Sequence, residues 1–377
     1  MTFRRHAPAI LILGVIIVIA SVTALSGRLF SGLTTSVERS QFKLMESIVS
    51  AGLRDAGDRA LALAELVAAL PTTKRHLAAR DREALLAEFA PMFEGQKERH
   101  GVDQAQFHLP PATSLLRLHN PSAFGDDLTR FRPMVVAVNR EQASRQGLAI
   151  ARRGPAVLGV APVSDPTGRH LGSVETGLDF GAVLVALKVA YGLEFTLFIE
   201  EKLLREFAAG INPAVLAEQN RLGRFIRFQT TNGALMAGLV GDADIASVGE
   251  PTTYLREADR APYGVLLYPL RDAAGQSIGI IAAASDFSGS REAAGRSLIW
   301  QLCLALFAIV ILSGLIVVVV RGVLLRPLGL VSERFTTISA GGPAQIIPDA
   351  DSYCEELQPL VELNNRIAER RMKERAP

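Results

Sequence analysis

Two stretches of the chain are apolar almost without interruption, and the pattern between them alternates. Ala7 to Leu25 carries no charge over about 19 residues, close to the roughly 20 that a helix needs to cross a hydrocarbon core. Ser297 to Val320 has only Ser297, Gln301 and Ser313 as clearly polar positions, with Trp300 near one end. Both predict membrane-spanning helices, at 7–25 and 297–320. Arg4, Arg5 and His6 precede the first, and Arg321 and Arg326 follow the second. The positive-inside bias places both termini in the cytoplasm and residues 27–296 outside. The competing reading of the first segment is a cleaved signal peptide, since residues 21–26 include small side chains. Its apolar run is long for one.

The region between the spans mixes two periods. Leu33 to about Leu70 is rich in Ala and Leu at helical spacing, with no proline before Pro71, and predicts a long helix. A second helix is expected from about Asp81 to Phe89, with Pro91 as its stop. Val102 to Leu109 alternates polar and apolar residues as a half-buried strand does. Pro110 and Pro111 forbid its continuation, and Ser114 to His119 reads as its partner strand.

The alternating region also repeats itself. Pro162, Asp165, Gly168, Gly172, Asp179 and Phe180 recur as Pro269, Asp272, Gly275, Gly279, Asp286 and Phe287, at one offset of about 107 residues. Arg153 and Pro155 match Arg260 and Pro262 at the same offset. Each copy predicts a strand, an Asp-x-x-Gly turn, an apolar strand and a helix capped by aspartate. A period this long indicates two tandem modules in separate sheets.

Composition narrows the function classes. Hydrophobic residues make up 49% of 377, and charged residues 21%, so a soluble body with few spans fits better than a polytopic transporter. Forty Lys and Arg against 38 Asp and Glu leave a net charge of +2, which gives no electrostatic basis for nucleic-acid binding. The two cysteines, Cys303 and Cys354, both lie outside residues 27–296. The outer region therefore folds without disulfides, and Cys354 is expected to be a reduced cytoplasmic thiol.

These features resemble a double Cache sensor, in which a long helix emerging from the membrane carries two PAS-like α/β modules between two spans. The segment Phe107 to His119, followed by Pro121, Phe124 to Leu128 and Phe131-Arg132-Pro133, resembles the subgroup found in chemoreceptors and sensor kinases. The resemblance covers roughly residues 30–295. It implies an α/β fold with the long helix at about 30–75, a membrane-distal module at about 76–190 and a proximal module at about 191–290. The chain after the second span, 321–373, resembles a HAMP linker. Arg326-Pro327-Leu328 begins a first amphipathic helix, Gly341-Gly342-Pro343 breaks it, and Glu355-Glu356-Leu357 opens a second. HAMP units are parallel four-helix coiled coils from two chains, so a homodimer is implied. The run Arg370 to Arg375 ends the chain at Pro377 with no transmitter in view, and an output protein in the cytoplasm is expected.

The candidate site lies in the distal module. Alternation puts Gln104, Gln106 and His108 on one strand face and Arg117 with His119 on one face of the next, where Arg132 and Glu175 can join them. Desolvated Arg and His are costly unless paired, so such a cluster points to a ligand site. Cationic forks suit a carboxylate or phosphate. His108, Arg117, His119, Asp127, Arg132 and Glu175 are thus expected to bind a small anion such as an organic acid. The alternative for Arg117 is an ion pair with Asp126 or Asp127 that holds a loop. In the proximal module Tyr254, Arg256, Tyr263 and Tyr268 are weaker candidates, and packed core is the simpler reading. His108 and His119 lack a third partner for a metal. Asp349 and Asp351 read as solvated. HExxH and P-loop motifs do not occur, and neither a catalytic site nor a cofactor is expected. The expected function is a membrane-anchored sensory receptor. A membrane-tethered periplasmic enzyme and a non-sensing envelope scaffold are its rivals.

Overall fold

The computed structural model describes residues 3–340, 342–343, 345–348, 353, 355 and 357–374. The chain divides into two compact units, Ser36–Ser290 and Met1–Thr35 with Arg291–Pro377.

Helix α1, Phe3–Ala69, is continuous, so the first apolar segment and the expected long helix are a single element. Helix α2, Pro71–Ala79, opens on Pro71, which presets a helical φ and lacks only an N–H that would be unsatisfied there. In α3, Arg82–His100, the Asp81 carboxylate accepts from the Ala84 N–H and caps the first turn. Pro91 does not stop α3, contrary to the sequence reading. Phe89 and Phe93 flank it and are both buried, and their packing outweighs the hydrogen bond that the proline removes. Gly101, with φ 70°, ends the helix instead.

The first module is a five-stranded antiparallel sheet in the order β2-β1-β5-β4-β3. Its elements are β1 (Val102–Leu109), β2 (Thr113–Arg117), α4 (Pro133–Glu141), β3 (Arg145–Ala151), β4 (Gly154–Ser164) and β5 (His170–Asp179). One face packs on α1 and α3 through Phe107, Val157, Ala161 and Val174. At Gly159 a Cβ would lie 2.2 Å from the Leu61 backbone nitrogen, so only glycine lets α1 approach the sheet this closely. The other face lies under α4, where Leu158 and Val160 meet Met134, Val135 and Val138. Strand β1 is therefore covered on both sides and is not the half-buried strand its alternation suggests; Gln104, Gln106 and His108 are all buried.

Helix α5, Phe180–Tyr191, leads out of β5 with the Asp179 carboxylate capping it at the Ala182 N–H. The second module follows: β6 (Glu194–Glu200), α6 (Glu201–Phe207), β7 (Arg221–Leu222), β8 (Phe225–Thr230), α7 (Gly233–Leu239), α8 (Asp242–Ile245), β9 (Thr252–Ala258), β10 (Ala261–Arg271) and β11 (Ser277–Asp286). They form a separate six-stranded sheet in the order β7-β8-β6-β11-β10-β9. The internal repeat is the β4–β5 hairpin and the β10–β11 hairpin, one in each sheet. Gly154 and Ala261 begin them, 107 residues apart, as do His170 and Ser277 for the second strands. Both turns are built alike: Gly168 and Gly275 take φ 87° and 83° and donate to the carbonyls of Asp165 and Asp272.

The other unit is helical. Among the described residues two helices are long and apolar enough to cross a membrane, within Pro8–Ala69 and Arg291–Ser339. Helix α9, Ser288–Val319, continues through a π-helical segment, Val320–Leu325, into α10, Arg326–Ser339. Helix α11, Gln358–Glu374, begins three residues after Glu355, the expected start. Val331 and Val361, near the starts of α10 and α11, pack together with Ile347. Arg371, near the end of α11, donates to the Ile338 carbonyl near the end of α10 at 2.8 Å, so the two helices run parallel. The expectations for Gly341, Asp349, Asp351, Cys354, Glu356 and Arg375 fall outside the described residues.

Candidate ligand site

The polar face of the first sheet is set by strand register. Gln106 stands opposite Glu175 and His108 opposite Ser173 across β1 and β5. On the other side of β1, Gln106 faces Arg117, the last residue of β2. Because β5 alternates, Ser173 and Glu175 share the face on which Gln106 and His108 stand, while Val174 and Thr176 turn to α1. Arg132 reaches the same face from the residue before α4; Pro133 at the first helical position fixes where that helix starts.

Three of the expected site residues come together in a buried cluster. His108, Glu175 and Arg132 are 0%, 1% and 8% exposed. Glu175 Oε2 lies 3.5 Å from Arg132 Nε and 3.8 Å from His108 Nε2. Neither distance is a hydrogen bond. Both carboxylate oxygens, both imidazole nitrogens and Arg132 Nε lack a hydrogen-bond partner in the structure. Burial, reinforced by Arg132 and Arg117, pushes the His108 imidazole down to about 3. The ring is therefore neutral at physiological pH, and its contact with Glu175 is a contact of polar groups, not an ion pair. Arg132 alone compensates the buried carboxylate.

The remaining expected residues surround this cluster on a more open side. A cavity of about 560 Å³ is lined by Gln104, Gln106, Arg117, His119, Asp127 and Arg132, among others. Gln106 Nε2 donates to Ser114 Oγ at 2.8 Å. Arg117 makes a bidentate pair with Asp126, at 2.8 and 2.7 Å, and also donates to the Ala123 carbonyl at 2.8 Å. This holds the Asp126 carboxyl below the usual carboxylate range. The loop-holding alternative for Arg117 is thus the arrangement found. Asp127 is exposed and accepts from the Thr129 N–H and hydroxyl, at 2.9 and 2.5 Å. His119 is not on a strand face with Arg117, because β2 ends at Arg117 and His119 lies in the turn beyond it. Burial pushes its ring down to about 4. His108 and Glu175 sit behind the lining and form no part of the cavity wall.

Two further residues of this wall were not read from the sequence as site residues. Arg152 and Arg153 form the two-residue turn between β3 and β4, where Ala151 pairs with Gly154. Both are exposed, and among the described residues neither side chain has a hydrogen-bond or ion-pair partner. The acids around the cavity are engaged: Asp126 by Arg117, Asp127 by Thr129, and Glu206 by Arg130 at 2.8 Å. The uncommitted charge at the rim is therefore cationic. Arg153 was visible in the sequence as the repeat partner of Arg260, but nothing in strand alternation marks a turn residue as part of a pocket.

In the second module two of the four weaker candidates, Tyr254 and Arg256, are locked into structure. Arg256 pairs with Asp244 at 2.6 and 2.9 Å, and both Arg256 and the Tyr254 hydroxyl donate to the Leu239 carbonyl. Among the described residues no three His, Cys, Asp or Glu side chains converge as a metal-holding group.

The family profile described as "Double sensory domain of two-component sensor kinase" matches residues 38–288. The chain belongs to this family. Residues 38–288 include both sheets and the cavity, so the double sensory domain is the part of the chain described above as two modules. Among solved structures it is similar to the sensory domain of the Campylobacter jejuni chemoreceptor Tlp3 with isoleucine bound, at 11% identity and a TM-score of 0.41, over 70% of this chain and 97% of that one. It is also similar to the sensor domain of the V. cholerae histidine kinase DctB, at 12% identity and a TM-score of 0.39, over 68% and 98%. No curated protein matches the chain.

Proposed function

We propose that this double sensory domain binds a small organic anion in the cavity of its first module and reports it across a membrane. The observation that carries the reading is the charge left over at that cavity. Every acid on its wall is engaged, while Arg152, Arg153 and the Arg132 Nε–H keep donors to spare. Cationic donors of this kind suit a carboxylate, and a charge-assisted hydrogen bond contributes more than a neutral one. Burying Arg132 beside Glu175 with its Nε–H and the Glu175 carboxylate unsatisfied costs stability, and a ligand that accepts from Arg132 offsets that cost.

In this reading the two apolar helices are spans, with the sensor outside and both termini in the cytoplasm. The parallel α10 and α11 form a HAMP unit. Leu328, Leu330, Leu360 and Leu363 are exposed on those helices, and a second copy of the chain would cover them in a four-helix coiled coil. Binding must favour one signalling state over the other for any message to pass.

The test is calorimetric titration of the full chain in lipid nanodiscs with acetate, succinate, malate, alanine and putrescine. The expected result is binding of at least one acid, with an Arg152→Ala/Arg153→Ala variant losing about tenfold or more in affinity, in line with roughly 1.5–3 kcal/mol for a hydrogen bond to a charged group. An acid present at about 100 times its Kd should add roughly 2.7 kcal/mol of stability. Binding of putrescine with none of the acids would overturn the reading.

A further inference from the structure

Arg132 belongs to two cavities. The second, of about 380 Å³, lies between the two sheets of the sensory domain, a volume in the range of small-molecule pockets. Its walls include Met134, Leu148 and Leu158 from the first module and Leu203 and Ile278 from the second. Apart from Arg132, the charged side chains around it are already engaged. Arg130 donates to Glu206, Arg145 pairs with Glu141, and the Asp272 carboxylate accepts from the N–H groups of Ala274 and Gln276 in its own turn. Arg132 differs: it is 8% exposed, and its Nε has no hydrogen-bond partner.

The two cavities share four wall residues, Phe131, Arg132, Ile150 and Phe207. Phe131 and Phe207 meet edge-on with ring centroids 5.9 Å apart, one ring from each module. One cavity is polar, with two arginines at its rim that have no hydrogen-bond or ion-pair partner among the described residues; the other is mostly apolar. The Arg132 guanidinium stands where they adjoin, its Nε–H unsatisfied and its Nη1 donating to the Ile150 carbonyl at 3.5 Å.

We propose that the two cavities are the head and tail compartments of one site, and that its ligand is a monocarboxylate carrying a short apolar chain or a ring. The inference rests on the anion reading of the polar cavity and adds the chemistry of the rest of the molecule. The carboxylate accepts from Arg132 and from the Arg152-Arg153 turn. The apolar portion passes the edge of Phe131 and Phe207 and lies against Leu148, Leu203 and Ile278. The polar cavity already has Glu206, Phe207, Ala209 and Gly210 of the second module on its wall; an occupant of this shape adds apolar contact with Leu203 and Ile278, which a small dicarboxylate confined to the polar cavity lacks.

The experiment titrates the full chain in lipid nanodiscs with acetate, propanoate, butanoate and hexanoate, and with succinate, subtracting partition into empty nanodiscs. Burying each added methylene should tighten binding by about fourfold, so hexanoate should bind roughly fiftyfold or more tightly than propanoate. Ala274→Phe supplies the control. Ala274 lines the apolar cavity, lies in the β10–β11 turn and is itself exposed, so a ring there fills the tail compartment without touching the core. The variant should lose the dependence on chain length and keep the affinity for acetate and succinate. If no acid binds, the anion reading falls and this inference with it. If acetate and succinate bind as well as hexanoate, the anion reading stands and the tail compartment is refuted. A chain-length dependence that survives Ala274→Phe places the apolar portion elsewhere and also overturns the proposal.

Discussion

The two modules of the sensory domain have one architecture and opposite interiors. Their five common strands follow the same order, with β5 and β11 at the centre. Register makes the positions comparable. Glu175 on β5 corresponds to Ala282 on β11, and Ser173 to Ile280, by the offset of the repeat. Gln106 and His108, opposite Glu175 and Ser173, correspond to Thr196 and Phe198, opposite Ala282 and Ile280. In the second module this face is filled by Phe198, Ile280 and Ala282 under Leu235, Met236 and Leu239 of α7. Its one polar member, Thr196, is satisfied by Thr230 at 2.8 Å. In the first module the same face holds an imidazole, a carboxylate and a guanidinium without hydrogen bonds among them. Apolar residues at these positions evidently suffice to build the fold. The polar ones are therefore not required by it, and the cost of their burial points to a role outside folding.

The largest effect expected from breaking this contrast comes from Arg132→Ala. It leaves Glu175 buried without its cation and should cost roughly 3–5 kcal/mol, read from urea unfolding of the full chain. A loss below about 1 kcal/mol would mean that water reaches Glu175. Replacing the whole cluster, as His108→Leu, Arg132→Met and Glu175→Leu together, makes the first module resemble the second. That change should be neutral or stabilising by roughly 1–4 kcal/mol while abolishing ligand binding. Retained binding would remove Arg132 from the site.

A smaller difference separates the two bidentate arginine pairs. Asp126 is 43% exposed and Asp244 16% exposed at the side chain. Arg117→Ala should cost roughly 1.5–3 kcal/mol, since water replaces part of what Asp126 loses. Arg256→Ala should cost more, because Asp244 is less accessible. Equal losses would show that exposure does not decide the matter.

The smallest effect is a change of pH profile. His108 is held neutral, with its folded pKa near 3 and its ordinary value at 6.5. The unfolded chain thus takes up the proton first, and the stability associated with the neutral ring is present above about pH 6.5 and lost as pH falls towards 3. His108→Phe, which copies Phe198, should flatten the loss of melting temperature between pH 6.5 and 4, leaving the part contributed by His119 and His170, whose rings burial also pushes down. An unchanged profile would place the acid sensitivity elsewhere.

Much of the fold could be read from the sequence because it rests on local signals. The Asp-x-x-Gly turns, the Asp179 cap and the repeat offset are short-range features, and each stands where the pattern placed it. Pro91 misled because its local penalty is smaller than the burial of Phe89 and Phe93, which is a tertiary effect. Of the cluster, His108 was legible from strand parity, while Arg132, which lies on no strand, and Glu175 were expected only to join it. The cavity was legible only in part. Arg152 and Arg153 lie in a turn without periodicity, and Phe207 comes from the other module. Neither sequence distance nor alternation reports such a meeting. Arg117 had two roles open in the sequence, and only the position of Asp126 decides between them.

The claim that the first module is the binding one is tested most directly by hydrogen exchange of the full chain in nanodiscs, with and without saturating hexanoate or succinate. The account predicts slower exchange in residues 102–132 and in the 148–153 turn region, with no change in Gly233–Leu239 or Thr252–Ala258. Protection confined to those α7 and β9 segments would contradict it and move the site to the second module.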